Sequence, residues 1–267
     1  MRIPHQKLAV WRTIFGSIGF VWQNWAAFWR IGIMPMAIYT LLMSFLILTN
    51  VSAAIDEIWP GLLELAIQSL IVLSFVVAWH RFVLLGEQEI EKHRGLTYGR
   101  REWRFVLWSA LVGFIVSFTS GFVFGFINRF ASRQEDPSVI VSIVAIASLS
   151  AVLVAIPFIR IALILPSVAL DQPASLKATW RLARGNAIRT GVIISFAGLV
   201  VKFLFAALGG GLGMALVAAG ITNVDQLPAY TVPIIFALSI FELFILTAVG
   251  ATAICMVYRS LSDTQVS

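Results

Sequence analysis

The sequence predicts an all-α polytopic membrane protein with six transmembrane helices, arranged as three helical hairpins, and an N-terminal amphipathic interfacial helix. The first observation is composition, since 60% of the 267 residues are hydrophobic and only 12% are charged. That charged fraction is about half of the fraction usual in soluble domains. The second and third observations are six long apolar segments and a regular placement of arginines at their ends. This number of polar groups is too small to cover the surface of a water-soluble protein. Lipid must therefore solvate much of the surface.

The six apolar segments define the predicted domain organisation. Each has about 20 or more mainly apolar residues, which is enough to cross the hydrocarbon core of a bilayer. Three of them contain no charged residue, and the others contain only Glu64, Lys202 or Glu242. We expect an interfacial segment (1–30), a transmembrane domain (31–259) and a cytoplasmic tail (260–267). The predicted spans are 31–52, 61–80, 105–128, 138–159, 190–217 and 230–257.

The basic residues predict the orientation of these spans. Sixteen of the 19 Lys and Arg fall in the N-terminal segment, the even-numbered loops and the tail, which together carry a net charge of +10. The opposite side carries −3. Because cytoplasmic loops collect Lys and Arg, we expect both termini in the cytoplasm. Attraction to anionic headgroups explains this basic face better than nucleic-acid binding does.

An arginine stands at the cytoplasmic end of each predicted span. We expect these side chains to reach lipid headgroups, because long basic side chains extend to the interface from helix ends. The pattern fits either a threefold repeat of one hairpin or the general accumulation of arginine at cytoplasmic helix ends, and both alternatives stay open. The six interface arginines are Arg30, Arg81, Arg104, Arg160, Arg189 and Arg259.

The stretch "RIALILPSVAL" (160–170) shows how one span leaves the membrane. Arg160 follows the uncharged run 139–159, which is one bilayer crossing. We therefore expect its guanidinium to reach lipid phosphates at the boundary. Pro166 is expected to kink or end the helix, because proline lacks the N–H that a helix interior needs.

The N-terminal stretch 5–30 predicts an amphipathic helix. Bulky apolar side chains recur at spacings of three and four residues, which places them on one face of a helix. A helix of this kind with basic flanks fits an in-plane position at the membrane interface. Packing of the same face on the protein's own loops is the alternative. The residues of this face are Leu8, Trp11, Phe15, Ile18, Trp22, Trp25 and Trp29.

Charged residues inside the spans are candidates for function, because burying charge in lipid is costly. At 1.5 Å per residue, Lys202 and Glu242 lie about 20 and 25 Å from the cytoplasmic face, close enough to form an ion pair. Glu64 precedes Arg81 by the same spacing as Glu242 precedes Arg259. These residues form either a polar site for protons, ions or a headgroup, or a structural ion pair with a carboxylate near the far interface.

Glycine is concentrated in the predicted fifth span, where Gly209, Gly210 and Gly211 are consecutive. Close helix packing is the expected role of such residues. The alternative is a hinge or unwound segment, which makes this helix the first place to look for a discontinuity.

The sequence contains no recognisable catalytic, cofactor or metal motif. Its one cysteine, Cys255, has no partner for a disulfide or a zinc site, and the three histidines have no metal-ligand spacing. We expect His80, between Trp79 and Arg81, to be an interfacial side chain. No catalytic residue, metal ligand or cofactor is therefore predicted.

The stretch from Arg160 to Val192, with the motif "ASLKATWRLARGN", resembles a bacterial membrane-domain family. That family is found in glycerophosphoryl diester phosphodiesterases and in stand-alone, YciC-like inner-membrane proteins. The resemblance implies a stand-alone bacterial inner-membrane protein and transfers no catalytic residue, because a phosphodiesterase domain is not expected after Arg259. Thr179 departs from the family, which often has serine there. The matching residues are Arg160, Pro166, Ala174, Ala178, Trp180, Leu182, Arg184 and Gly185.

Two functions are compatible with these observations. The first is a non-enzymatic inner-membrane protein that supports envelope homeostasis. It would bind anionic lipids, or organise protein partners, at its basic face. The second is a small permease or ion-coupled transporter that uses Lys202 and Glu242. A preference for anionic lipid favours the first, and substrate-dependent flux favours the second.

Overall fold

The computed structural model describes residues 7–48, 58–88, 99–131, 150, 159–218 and 231–266. These residues are almost entirely helical, and no β-strand occurs among them, so the predicted all-α class is confirmed. A short 3-10 helix, Arg160–Leu163, stands between the fourth and fifth α-helices. The α-helices are α1 (Val10–Gln23), α2 (Trp25–Leu48), α3 (Ile58–Leu85), α4 (Arg100–Ala131), α5 (Ile164–Ala169), α6 (Leu176–Leu182), α7 (Ala187–Ala218) and α8 (Thr231–Val266).

Four described helices contain stretches long and apolar enough to cross a membrane, which is consistent with a multi-pass membrane protein. They match the first, second, fifth and sixth predicted spans. The third predicted span lies within α4, whose side chains are described only as far as Ile115. The fourth, 138–159, lies almost wholly outside the described residues. The four stretches are Trp25–Leu46, Ala66–Leu85, Ala187–Gly211 and Pro233–Asp263.

The boundary between the N-terminal segment and the first span differs from the prediction. The helix is interrupted at Asn24 and resumes at Trp25, rather than beginning a span at residue 31. The Asn24 side chain donates a 2.8 Å hydrogen bond to the carbonyl of Phe20. Asparagine side chains compete in this way with the regular helical hydrogen bonds, which explains the local irregularity. Backbone bonds from Asn24 to Phe20 and from Phe28 to Asn24 keep the chain helical across the break.

Helix α8 continues to Val266, so residues 260–266 of the predicted cytoplasmic tail extend the last helix.

The chain divides into two compact units. The first comprises Met1–Gly16, Arg100–Phe196 and Ala253–Ser267, and the second comprises Ser17–Gly99 and Ala197–Thr252.

The second unit has an aromatic core. Helix α2 packs along α3, and Phe28, Phe75, Trp79 and Phe244 are completely buried. The Phe75 ring lies edge-on to Phe244 at 5.1 Å and stacks on Trp79 at 5.9 Å. Offset and edge-to-face geometries of this kind add stability beyond the burial of apolar area. Helix α3 then ends at Gly86, whose φ of +89° favours glycine.

In the first unit, α4 packs against α5 and the 3-10 helix. The stretch 161–166 is buried, so the apolar run after Arg160 forms part of this core. Pro166 is the third residue of α5, so it does not end the helix, and of the two predicted effects only the kink stays a prediction. Proline is tolerated in the first turn of a helix, where an N–H has no intrahelical partner. The change of helix type occurs earlier, at Arg160.

Candidate functional site

In the first unit, α6 and the turn after it carry the residues of the sequence motif. Ser175 caps α6, because its hydroxyl accepts a 3.4 Å hydrogen bond from the Ala178 N–H. The turn after α6 contains Gly185 at φ +82°, a conformation that glycine adopts without strain. Asn186 comes next and is buried. The cap and the glycine together set the length and direction of this short basic helix.

Arg160 and Trp180 form the most specific contact in this region. The guanidinium carbon of Arg160 lies 3.0 Å from the centre of the Trp180 ring, a cation–π contact. Trp180 is 46% exposed. Burial lowers the pKa of Arg160 from its ordinary value, because desolvation disfavours the charged form. Within the described part of the chain, the enclosed Nε of Arg160 has no hydrogen-bond acceptor. Two members of the sequence motif that lie 20 positions apart are thus in direct contact.

Exposed cations surround Trp180 on α6 and the turn that follows. Lys177 and Arg181 are exposed one helical turn apart on α6, and Arg184 is exposed in the turn that follows. No acidic residue lies between positions 172 and 189. These three cations, together with Trp180, are called the basic stripe below.

The N-terminal segment is fixed to the residues that follow the basic stripe. The backbone N–H of Leu8 donates to the Asn186 side-chain oxygen at 3.2 Å. The Arg189 guanidinium donates to the Leu8 carbonyl, also at 3.2 Å. These contacts give Arg189 a partner within the chain, whereas the sequence predicted a lipid headgroup for it. Further along α1, Trp11 packs edge-on to Phe196 at 6.4 Å.

Three aromatic residues of α1 face outward, whereas Leu8, the first residue of the predicted face, is buried. Trp11 is 62% exposed, and Phe15 and Trp22 are similarly exposed. Ile14 and Val21, on an adjoining face of the helix, are buried. The exposed aromatic side chains are what an interfacial helix requires, and the interfacial position itself stays a prediction. Trp25 departs from the predicted face, since it stacks on Phe28 in the second unit.

A charge network that the sequence analysis missed holds the turn after α5. Arg101 contacts Glu102 at 2.6 Å and Asp171 at 3.2 Å. Burial lowers the pKa of Arg101, but hydrogen bonds and charge attraction to these two carboxylates outweigh it, and the pKa is raised overall. Asp171 has φ 59°, and Tyr258 donates a 2.8 Å bond to the adjacent Gln172. Asp171 lies 70 residues from Arg101, so no local pattern indicated this pairing.

The predicted interface arginines differ in their surroundings. Arg30 and Arg259 are exposed, and Arg81, Arg104, Arg160 and Arg189 are partly buried.

The intramembrane residues Lys202 and Glu242 meet in the second unit. Their Nζ and Oε1 atoms are 2.7 Å apart, which is ion-pair distance. The Lys202 side chain is 59% exposed and that of Glu242 is 21% exposed. Within the described part of the chain the pair is therefore partly exposed, the lysine more than the glutamate. Glu64 falls within α3, but its side chain lies outside the described residues.

The glycine-rich part of α7 is a continuous helix. It runs through Gly209, Gly210 and Gly211 without interruption, so the alternative of a discontinuity here is wrong. Among the described residues, a Cβ atom added at any of these three glycines would meet nothing within 4 Å. Close helix packing at these glycines therefore stays a prediction.

His80 and Trp79 also have surroundings that differ from the prediction. His80 is 1% exposed and its Nδ1 lies 2.8 Å from the Val76 carbonyl, so it is a core residue and not an interfacial one. Trp79 donates its indole N–H to Ala248 O at 3.0 Å and to Thr252 Oγ1 at 2.9 Å. Among the described residues, no group of three or more His, Cys, Asp and Glu side chains could hold a metal ion.

In comparisons with protein-family models, curated proteins and solved structures, nothing matched this chain, so the resemblance noted above stays a prediction.

Proposed function

We propose that this chain is a non-enzymatic protein of a bacterial inner membrane that binds anionic lipid through the basic stripe on α6 and supports envelope homeostasis. In this proposal six spans form three hairpins, with both termini and the basic stripe in the cytoplasm. The observation that carries it is the group of exposed cations around the half-exposed Trp180.

The physical basis is electrostatic attraction combined with an aromatic anchor. Each Lys or Arg near an anionic membrane surface contributes about 1 kcal/mol of attraction. Tryptophan favours the headgroup level, where its ring is half in lipid and its N–H is hydrated. Trp11 and Phe15 on α1 offer a second exposed aromatic pair in the same unit. Four apolar helices supply the membrane anchorage, so the basic stripe need only select among the lipids already present.

The polar groups of the first unit support a binding role over catalysis. Arg101, Asp171 and Asn186 are engaged in holding turns and the N-terminal segment, as described above. The exposed side chains of the basic stripe are three cations and one tryptophan. A surface of this composition attracts phosphate groups.

The test is a comparison of lipid preference in nanodiscs. We expect the wild-type protein to have a higher melting temperature in phosphatidylglycerol than in phosphatidylcholine with the same acyl chains. The double variant Arg181→Gln/Arg184→Gln is expected to lose most of this difference. Arg129→Gln/Arg133→Gln is the matched control, because it removes the same charge from the side predicted to face away from the cytoplasm. Equal melting temperatures of the wild-type protein in both lipids would refute the proposal.

The ion pair between Lys202 and Glu242 supports a second candidate, a small ion-coupled permease. An ion pair within apolar helices is costly, which is why such residues often mark transport sites. Proteoliposomes containing the wild-type protein would then show substrate-dependent flux that Glu242→Gln abolishes. Absence of flux from a folded protein removes this candidate.

A further inference from the structure

The guanidinium group of Arg160 lies flat against the ring of Trp180. Its central carbon is 3.0 Å from the centre of the ring. An edge-on approach would place a nitrogen between this carbon and the ring, and the carbon would then lie further away. The short distance therefore indicates that the two planes are stacked, as arginine commonly does on aromatic rings. In a stacked guanidinium the N–H bonds point outward in the plane of the group, so Trp180 occupies none of them.

The terminal edge of this guanidinium is available to a ligand. Arginine carries five N–H donors in a planar fork. The Nε is enclosed and has no acceptor within the described part of the chain. The two terminal nitrogens also have no acceptor among the described residues, but they are not enclosed, and the residue as a whole is partly exposed. Their parallel N–H bonds match two oxygens of one anion.

Arg160 differs from the cations of the basic stripe because its position is fixed. Lys177 and Arg181 are exposed, so holding either side chain against a ligand costs conformational entropy. Arg160 is already held on one face by Trp180 and is enclosed at Nε, so it loses less freedom on binding. Mobile charges attract any anion, whereas a fixed guanidinium fork selects a group with two suitably spaced oxygens.

We infer that Arg160 binds the phosphodiester group of a phospholipid, with Trp180 as the positioning residue that holds it. A phosphodiester carries one negative charge and offers two unsubstituted oxygens to the fork. The same group is present in phospholipids whose headgroups are neutral overall. The basic stripe therefore determines the preference for anionic headgroups, and Arg160 determines the requirement for phosphate. The site rests on the proposed function for the position of Arg160 at the membrane boundary.

Melting temperatures in maltoside micelles, which contain no phosphate, test this site. Phosphatidylcholine, phosphatidylglycerol or galactosyl diacylglycerol, all with the same acyl chains, is titrated into the purified protein. We expect phosphatidylcholine to raise the melting temperature more than galactosyl diacylglycerol does, although both lipids are neutral overall. Inorganic phosphate and glycerophosphocholine are titrated as free sources of the same chemistry. We expect neither to raise the melting temperature at concentrations where phosphatidylcholine saturates.

Variants of the two residues test the geometry of the contact. Arg160→Lys keeps the charge but removes the fork, so it should bind phosphatidylcholine about tenfold more weakly, measured as the lipid mole fraction that gives half of the melting-temperature shift. Arg181→Lys is the matched control, because it makes the same substitution at an exposed position of the basic stripe, and it should leave this binding unchanged. Trp180→Leu should weaken binding by a similar factor to Arg160→Lys, and Trp180→Phe, which keeps an aromatic face, should weaken it less.

Several outcomes would overturn the site. They are equal wild-type shifts with phosphatidylcholine and galactosyl diacylglycerol, a wild-type shift with free phosphate as large as that with phosphatidylcholine, equal weakening by Arg160→Lys and Arg181→Lys, and wild-type binding by Trp180→Leu. The first two require only the wild-type protein, so they decide the question even where a variant fails to fold.

Failure of the proposed function has a different signature. The wild-type protein would then show no difference between phosphatidylglycerol and phosphatidylcholine. Failure of the Arg160 site alone would leave that difference and remove the one between phosphatidylcholine and galactosyl diacylglycerol.

Discussion

Replacing Trp79 with phenylalanine tests how the core of the second unit is held together. Trp79 is completely buried, and its indole N–H is shared between the Ala248 carbonyl and the Thr252 hydroxyl. Phenylalanine keeps the stacked ring but cannot donate a hydrogen bond. Thr252 also donates to Ala248 O at 2.8 Å, so both acceptors keep a partner after the substitution.

The expected cost has two parts. Interhelical hydrogen bonds in membrane proteins contribute about 0.6 kcal/mol on average and up to about 1.7 kcal/mol. The smaller ring also leaves a void, and removing a small part of a buried side chain costs about 1 kcal/mol. Together these give about 2 kcal/mol for Trp79→Phe. Thr252→Val removes only one of the two acceptors, so it should cost about 0.5 kcal/mol.

Equilibrium unfolding in mixed micelles, with increasing denaturing detergent, measures both values. The double variant Trp79→Phe/Thr252→Val should cost less than the sum of the single variants, because the two residues share one hydrogen bond. Strict additivity, or a Thr252→Val variant that costs as much as Trp79→Phe, would refute the assigned hydrogen bonding.

Three further predictions concern single contacts. Asn186→Ala should lower the free energy of unfolding by about 1–3 kcal/mol, because it leaves the buried N–H of Leu8 without an acceptor, whereas Asn186→Asp keeps one. Hydrogen exchange at residues 8–16 should therefore rise in the alanine variant alone. Equal protection of these residues in both variants would contradict the contact. Trp180→Leu should lower the free energy of unfolding by about 1 kcal/mol, because the cation–π contact with Arg160 is lost. Trp180→Phe keeps an aromatic ring and should lower it by less, as measured by thermal unfolding. A phenylalanine variant less stable than the leucine variant would contradict the contact. Gly32→Ala should be about 1 kcal/mol less stable than the matched control Gly19→Ala, because both gain the helix propensity of alanine and only the Cβ at position 32 would lie 3.3 Å from the buried Phe75 ring and 2.9 Å from the Met36 methyl. Equal unfolding midpoints for the two variants would argue against this packing.

Features that depend on composition and helical periodicity were predictable from the sequence. Apolar length identified the four stretches that the structure describes as long enough to cross a membrane. Helical geometry and depth also placed Lys202 within reach of Glu242, because antiparallel neighbours bring residues of similar depth together. The spacing of apolar residues and the length of an apolar segment are local properties of the chain. A single sequence is therefore enough to identify them.

Features that depend on long-range contacts were not predictable. The partner of Arg101 is Asp171, and the acceptor for Leu8 is Asn186, 178 residues away. The same limitation explains His80, whose neighbours Trp79 and Arg81 suggest an interface, although the packed structure buries its ring completely. Whether a residue next to an arginine is exposed to solvent or buried depends on which helices pack over it.

Pro166 and Gly209 show a related limitation. Proline and glycine indicate that the backbone is able to break or approach closely, but the tertiary context decides whether it does so. Pro166 lies in the first turn of α5, where it costs nothing, and Gly209 remains helical beside open space.

Thiol accessibility at position 184 tests the central claim, that the basic stripe lies at the cytoplasmic face with the other basic loops. Cysteines are introduced singly at positions 93 and 184 in a Cys255→Ala background, and a membrane-impermeant maleimide is applied to intact cells and to inverted vesicles. We predict that both positions are labelled in inverted vesicles and that neither is labelled in intact cells. Labelling of the two positions from opposite sides would contradict the proposed topology and remove the basis for anionic-lipid binding by the basic stripe.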